Sequence, residues 1–102
     1  MLMKKRYLKS KPVCKVTFEL PGAAAGPAQT VTLTGDFNEW NTAATPMKRR
    51  KDGSFSVTLD LASDQEYQFK YLIDGQRWEN DWEADKYLPS AVGDGENSVV
   101  VV

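Results

Sequence analysis

Apolar residues recur at every second position along most of this chain. In the stretch 13–20, Cys14, Val16, Phe18 and Leu20 alternate with Lys15, Thr17 and Glu19, which predicts a half-buried strand. The stretch 54–61 sets Phe55, Val57, Leu59 and Leu61 against Ser54, Ser56, Thr58 and Asp60, and Lys51-Asp52-Gly53 ahead of it is a turn signal. In 66–73, Tyr67, Phe69, Tyr71 and Ile73 share one face, while Gln68, Lys70 and Leu72 share the other. Asp74-Gly75 then turns the chain into Gln76-Arg77-Trp78, a hairpin partner. Residues 30–34, with Val31 and Leu33 inward, and 97–102 add two more strands. Residues 21–29 form a turn-rich loop. Residues 79–87 admit a helical turn, but Pro89 and the clustered charges favour a loop. No segment repeats at the helical period. Short strands divided by turns predict an all-β sandwich.

Composition narrows this picture. At 102 residues the chain is expected to be one domain with a core of its own. Its net charge of −1 exerts no global pull on nucleic acid or anionic membranes, and neither is expected as a partner. The charge is uneven: Lys4, Lys5, Arg6, Lys9, Lys11 and Lys15 precede the first acid, Glu19. Residues 1–12 therefore read as a basic, partly disordered arm ahead of a domain over 13–102. The lone Cys14 excludes an internal disulfide and reads as a buried thiol. No apolar run suits a signal peptide or a membrane span, so a cytoplasmic location is expected.

Catalysis finds little support. The chain has no His, which removes the commonest general base and metal ligand. Paired carboxylates can cleave a glycosidic bond, and Glu79, Asp81, Glu83 and Asp85 supply candidates. A charge run on a loop is more simply a solvated surface, and this one lacks the order of a calcium loop. The expectation is a non-catalytic protein with no cofactor and no metal.

The unusual stretch is "GDFNEW", residues 35–40, with two large aromatics in a polar loop. Phe37 is expected to plug the end of the sandwich and Asn38 to bond the loop backbone. Trp40, Trp78 and Trp82 each carry two readings. One is packing, because an indole buries a large area. The other is a sugar platform, because the C–H face of a pyranose suits a flat π face while its hydroxyls need polar partners. Strand parity puts Lys70 outward, with Trp78 across the hairpin on the same patch. A register slip of one residue would turn Trp78 inward.

Several motifs in order carry a family likeness: "LTGDFNEWN", "PMKRRKDGSFSVTLDL", "EYQFKYLIDG" with "RWEND", and "GENSVVV". From about Val13 to Val102 the chain resembles the glycogen-binding, isoamylase N-terminal-like carbohydrate-binding modules. These occur in AMP-activated kinase β subunits and in glycogen branching and debranching enzymes. The resemblance implies an immunoglobulin-like, early-set β-sandwich of about seven to eight strands that binds α-1,4-glucan (glycogen, starch or maltooligosaccharides). It implies that Trp40 and Trp78 stack on glucose, with Arg77 inserted beside Trp78, and that Lys70 bonds the hydroxyls. Val92, Asp94, Glu96 and Asn97 stand where the family's second wall is formed, with Val92 in place of a longer Leu and acids at two polar positions. Trp82 inherits no sugar contact and is expected to pack at the rim.

Two functions follow. The first is non-catalytic α-glucan binding, alone or beside a partner enzyme or kinase-like protein. The second is a protein–protein docking module that keeps the fold without the groove; Lys48, Arg49, Arg50 and Lys51 would offer it a basic surface.

Overall fold

The computed structural model describes residues 3–90 and 95–102. Among them lie nine strands in two antiparallel sheets. The first sheet has the order β1-β2-β5-β4, from β1 (Lys4–Tyr7), β2 (Val13–Leu20), β5 (Phe55–Ala62) and β4 (Lys48–Arg49). The second runs β3-β6-β9-β8, from β3 (Val31–Gly35), β6 (Glu66–Ile73), β9 (Glu96–Val101) and β8 (Lys86–Pro89). The short β7 (Arg77–Glu79) pairs with β6 beyond the end of β9. The helical content of the described residues is a single turn, α1 (Gly22–Ala25), and a 3₁₀ turn over Asp36–Asn38.

Period two places the core. Cys14, Val16, Phe18 and Leu20 from β2 are buried, as are Phe55 and Leu61 from β5, and they face Val31, Leu33, Phe69, Tyr71, Ile73 and Val100 of the second sheet. Phe69 meets Phe18 and Tyr71 edge-on, with ring centroids 5.0 and 5.7 Å apart. Such tilted pairs add about 0.5–1.5 kcal/mol each beyond the area they bury. Outside, Thr17 and Thr58 bond across β2 and β5, and Lys15 pairs with Asp60.

The chain between the sheets is economical. Residues 45–47 bond to the free edge of β3 (Leu33 N to Thr45 O, Met47 N to Val31 O), then continue into β4 of the other sheet. One segment thus covers an edge and joins the layers. At the β6–β7 turn, Asp74 and Gly75 both take positive φ, as an Asp-Gly hairpin requires. The Asp74 carboxylate accepts from Gln29 N and Thr30 N, which ties the turn to the start of β3. Those backbone donors hold its carboxyl below the usual aspartate range.

Two parts of the chain depart from expectation. Lys4–Tyr7 is not an arm beside the domain: it pairs with β2 in the register Lys4↔Thr17 to Tyr7↔Cys14, and Lys5 forms an ion pair with Asp85. The loop expected over 79–87 holds over 80–85 but gives way at its end to an edge strand, Lys86–Pro89. Both are edge strands, where charges and proline are tolerated because one side of the backbone needs no partner.

Candidate functional site

Gly35 ends β3, and the chain turns back through the 3₁₀ turn. Asn38 holds this turn from within. Its Oδ1 accepts from Gly35 N, and its Nδ2 donates to Leu33 O and Thr45 Oγ1, each at 3.0 Å. Phe37 packs inward, its ring 5.6 Å from Phe18 and 6.1 Å from Tyr67. Glu39 and Trp40 then both take the left-handed conformation, with φ of 57° and 58°. Trp40 N donates to Gly35 O, and its half-buried indole donates from Nε1 to Asp36 Oδ1 at 3.0 Å. The other oxygen of Asp36 accepts from Gln68 N on β6 at 2.8 Å.

Asp36 therefore fixes the Trp40 indole and pins the loop to β6. No role for it was read from the sequence, although its spacing of four residues from Trp40 is the available signal, since that separation brings side chains together across a turn. Asp36→Ala is expected to cost about 1–2 kcal/mol of stability, the worth of two exposed hydrogen bonds to a charged acceptor. It should also move the Trp40 indole N–H resonance toward that of a solvated tryptophan. Denaturant unfolding and a nitrogen-15 correlation spectrum check both, and an unmoved resonance would show that something else holds the ring.

The outer face of the second sheet carries the rest. In β6, Gln68, Lys70 and Leu72 point away from the core, and Thr34 of β3 lies opposite Lys70. The register Leu72↔Trp78 puts Trp78 on that same outer face, with its side chain 46% exposed. Lys70 is a diagonal neighbour of Trp78, a separation within reach of long side chains. Lys70 is half-buried and has no ion-pair partner among the described residues. Asn97 of β9 has the parity of Gln68 and donates to its Oε1 at 3.1 Å.

The expected second wall falls only partly within the described residues. Val92 and Asp94 lie outside the described residues. Glu96 and Asn97 are adjacent in β9 and take opposite faces, as strand geometry demands. Asn97 is buried as part of the outer floor, while Glu96 is exposed beside Asn80, Asp81, Trp82 and Tyr87. The hydrophobic pattern predicts this strand only from residue 97, which leaves the parity of Glu96 undefined.

The acid run also resolves. Asp85 pairs with Lys5, and Glu79 with Arg77. Asp81 is buried: its Oδ2 accepts from the Tyr71 hydroxyl at 2.7 Å and its Oδ1 from Glu83 N at 2.8 Å. Burial raises its carboxyl above the ordinary value of 3.8, and these two hydrogen bonds pull it back. Burial, with the charge of Asp81 beside it, pushes the Tyr71 phenol well above its usual range. No group of three metal-ligating side chains occurs among the described residues. Among the described residues no helix is long and apolar enough to cross a membrane.

Tyr71→Phe tests this buried pair. A carboxyl raised by burial contributes most below its ordinary value, and that contribution is lost as pH rises through the raised one. Removing the hydroxyl raises it further. The variant is expected to lose about 1–3 kcal/mol at neutral pH, the cost of a buried acceptor left unsatisfied. The deficit should shrink once the pH falls below 3.8. Urea unfolding at the two pH values checks this; an equal deficit at both would mean that lost packing, not the hydrogen bond, dominates.

Residues 23–102 match the family described as the glycogen recognition site of AMP-activated protein kinase. The chain belongs to this family. The glycogen-recognition family is one of carbohydrate-binding modules, which are not catalytic domains. This module is also 42% identical over 55 residues to a 1,4-alpha-glucan branching enzyme of Aquifex aeolicus (strain VF5). That match takes in 53% of this chain and 9% of the enzyme's length.

Proposed function

We infer that this glycogen-recognition module binds α-1,4-glucan on the outer face of its second sheet. Trp78 stacks against the C–H face of a glucose ring, and Lys70 donates to hydroxyls at its rim. Trp40, locked by Asp36, offers a second stacking surface at the end of β3. The polar pair Gln68 and Asn97 completes the floor. The observation that carries this reading is the register Leu72↔Trp78, which holds an exposed indole on the same face as a lysine with no ion-pair partner among the described residues.

Backbone strain adds weight. A bulky residue in the left-handed region costs of order 1–3 kcal/mol, and such strain gathers at functional sites. A loop shaped for stability alone would place Gly or Asn at position 40. The face is open rather than enclosed, so binding is expected in the micromolar to millimolar range, roughly −8 to −4 kcal/mol. Beside a catalytic domain, such a module would hold the polymer near the active site without taking part in its chemistry.

Titration with maltoheptaose, followed by tryptophan fluorescence and calorimetry, tests the reading. Saturable binding within that range is the expected result. No heat and no spectral change up to roughly ten millimolar sugar would leave the fold as a docking module without a sugar groove.

A further inference from the structure

A second aromatic site lies elsewhere on the molecule. Asn80, Asp81, Trp82, Tyr87 and Glu96 line an open depression of about 540 Å³. Trp82 is 56% exposed and Tyr87 39%. These two and Trp78 are three of the five large apolar side chains exposed among the described residues. The depression is not an extension of the Lys70 face. Tyr87 pairs with Ser98, and Ser98 with Phe69, so Tyr87 and Glu96 have the parity of the core-facing residues. Trp78, Lys70 and Asn97 have the other parity.

The lining is held in place. The Tyr87 hydroxyl donates to the Asp81 carbonyl and accepts from Ala84 N. Asn80 donates to Glu96 O and accepts from Ser98 N and Oγ. These bonds fix Tyr87 and Asn80 and leave the exposed Glu96 carboxylate beside them.

We propose that this depression is a second saccharide site, with Trp82 as its stacking platform. No Lys or Arg lines it, which disfavours phosphate or carboxylate ligands. A cationic ligand would meet a single exposed lining carboxylate, Glu96, since Asp85 and Glu79 are ion-paired and both oxygens of Asp81 already accept hydrogen bonds. Aromatic faces beside hydrogen-bond acceptors suit a neutral polyol, whose hydroxyls donate. The ligand's identity as glucan rests on the function inferred above, while the residues are separate from it. Sites on opposite faces of one sheet cannot share a short linear oligomer. They can engage two branches of one branched glucan, and that linkage raises avidity without new contacts.

The three tryptophans give three indole N–H resonances, so the nitrogen-15-labelled chain can be titrated with maltoheptaose and each site read separately. The Trp82 resonance should move along its own curve, saturating at about millimolar sugar, and should still do so in Trp78→Ala. Trp82→Ala should leave the Trp78 curve unchanged and weaken cosedimentation with glycogen about tenfold or more. Trp82→Phe, which keeps a stacking face, should restore most of the loss. If Trp78 responds and Trp82 does not, the second site is overturned and the first stands. If Trp82 responds and Trp78 does not, the outer-face reading fails and this one survives. Silence from both removes both. A lysine-rich peptide that moves Trp82 where sugar does not would make the depression a cation site and overturn the proposal.

Discussion

Gly35→Ala is expected to lower the melting temperature by roughly 12–24 °C, taking a cost of about 3 kcal/mol and a shift of about 4–8 °C per kcal/mol for a domain this size. A methyl group there would sit 2.5 Å from Gln68 O, 2.8 Å from Phe69 Cβ and 2.9 Å from Phe37 Cζ. The first is backbone in the central strand and the second is anchored at the backbone, so neither can swing aside. The third is a ring wedged against Phe18 and Tyr67. Overpacking usually costs about 1–3 kcal/mol, and two contacts fixed at the backbone with a packed ring behind them put this case at the upper end. The backbone conformation is not the cause, since Gly35 is extended with φ of −178°. Thermal unfolding followed by circular dichroism measures the effect. A shift of only a degree or two would mean that β3 and β6 can separate freely at this point. The same displacement would carry Trp40 with it, because Trp40 N bonds to Gly35 O.

That coupling explains what the sequence revealed and what it hid. Strands β2, β5 and β6 were legible because one face of each is buried and the other is not, so hydrophobic alternation records their geometry. The division of labour in "GDFNEW" was legible for similar reasons: Phe37 has no polar use, and Asn38 is a loop-bonding residue by chemistry. β1 was not legible because it joins the sheet through backbone bonds and one ion pair, and its Lys-rich composition is also that of a solvated tail. β8 carries a proline, which argues against a central strand and is silent about an edge.

The site divides along the same line. Lys70 was placed outward by parity within its own strand. Trp78 needed the pairing register, which the Asp-Gly turn suggests but does not fix to one residue. Asp36 depends on a turn that brings it back to β6, a tertiary fact with only a weak local trace. Glu96 and Asn97 depended on where β9 begins. A shift of one residue in that boundary moves a carboxylate from one face of the sheet to the other.

Trp78→Ala is expected to weaken maltoheptaose binding about thirtyfold or more, near 2 kcal/mol, the usual effect of truncating a buried aromatic anchor at an interface. The indole is 46% exposed in the free protein, so its loss should change folding stability by less than about 1 kcal/mol. That contrast between affinity and stability is the diagnostic. An indole packed for the fold would show the reverse, with a large stability cost and no selective loss of sugar. Lys70→Ala should weaken binding less, because a half-buried donor that water still reaches exchanges water for sugar hydroxyls. The double variant tests whether both groups hold the same ring. Their losses should fall short of additive if they do, since removing the platform also removes the geometry that lets Lys70 reach the rim. Calorimetric titration of the two single variants and the double variant measures all three effects. Binding by Trp78→Ala within threefold of the unaltered chain, well inside the thirtyfold expected of an anchor, would take the outer face of this sheet out of consideration as the glucan site.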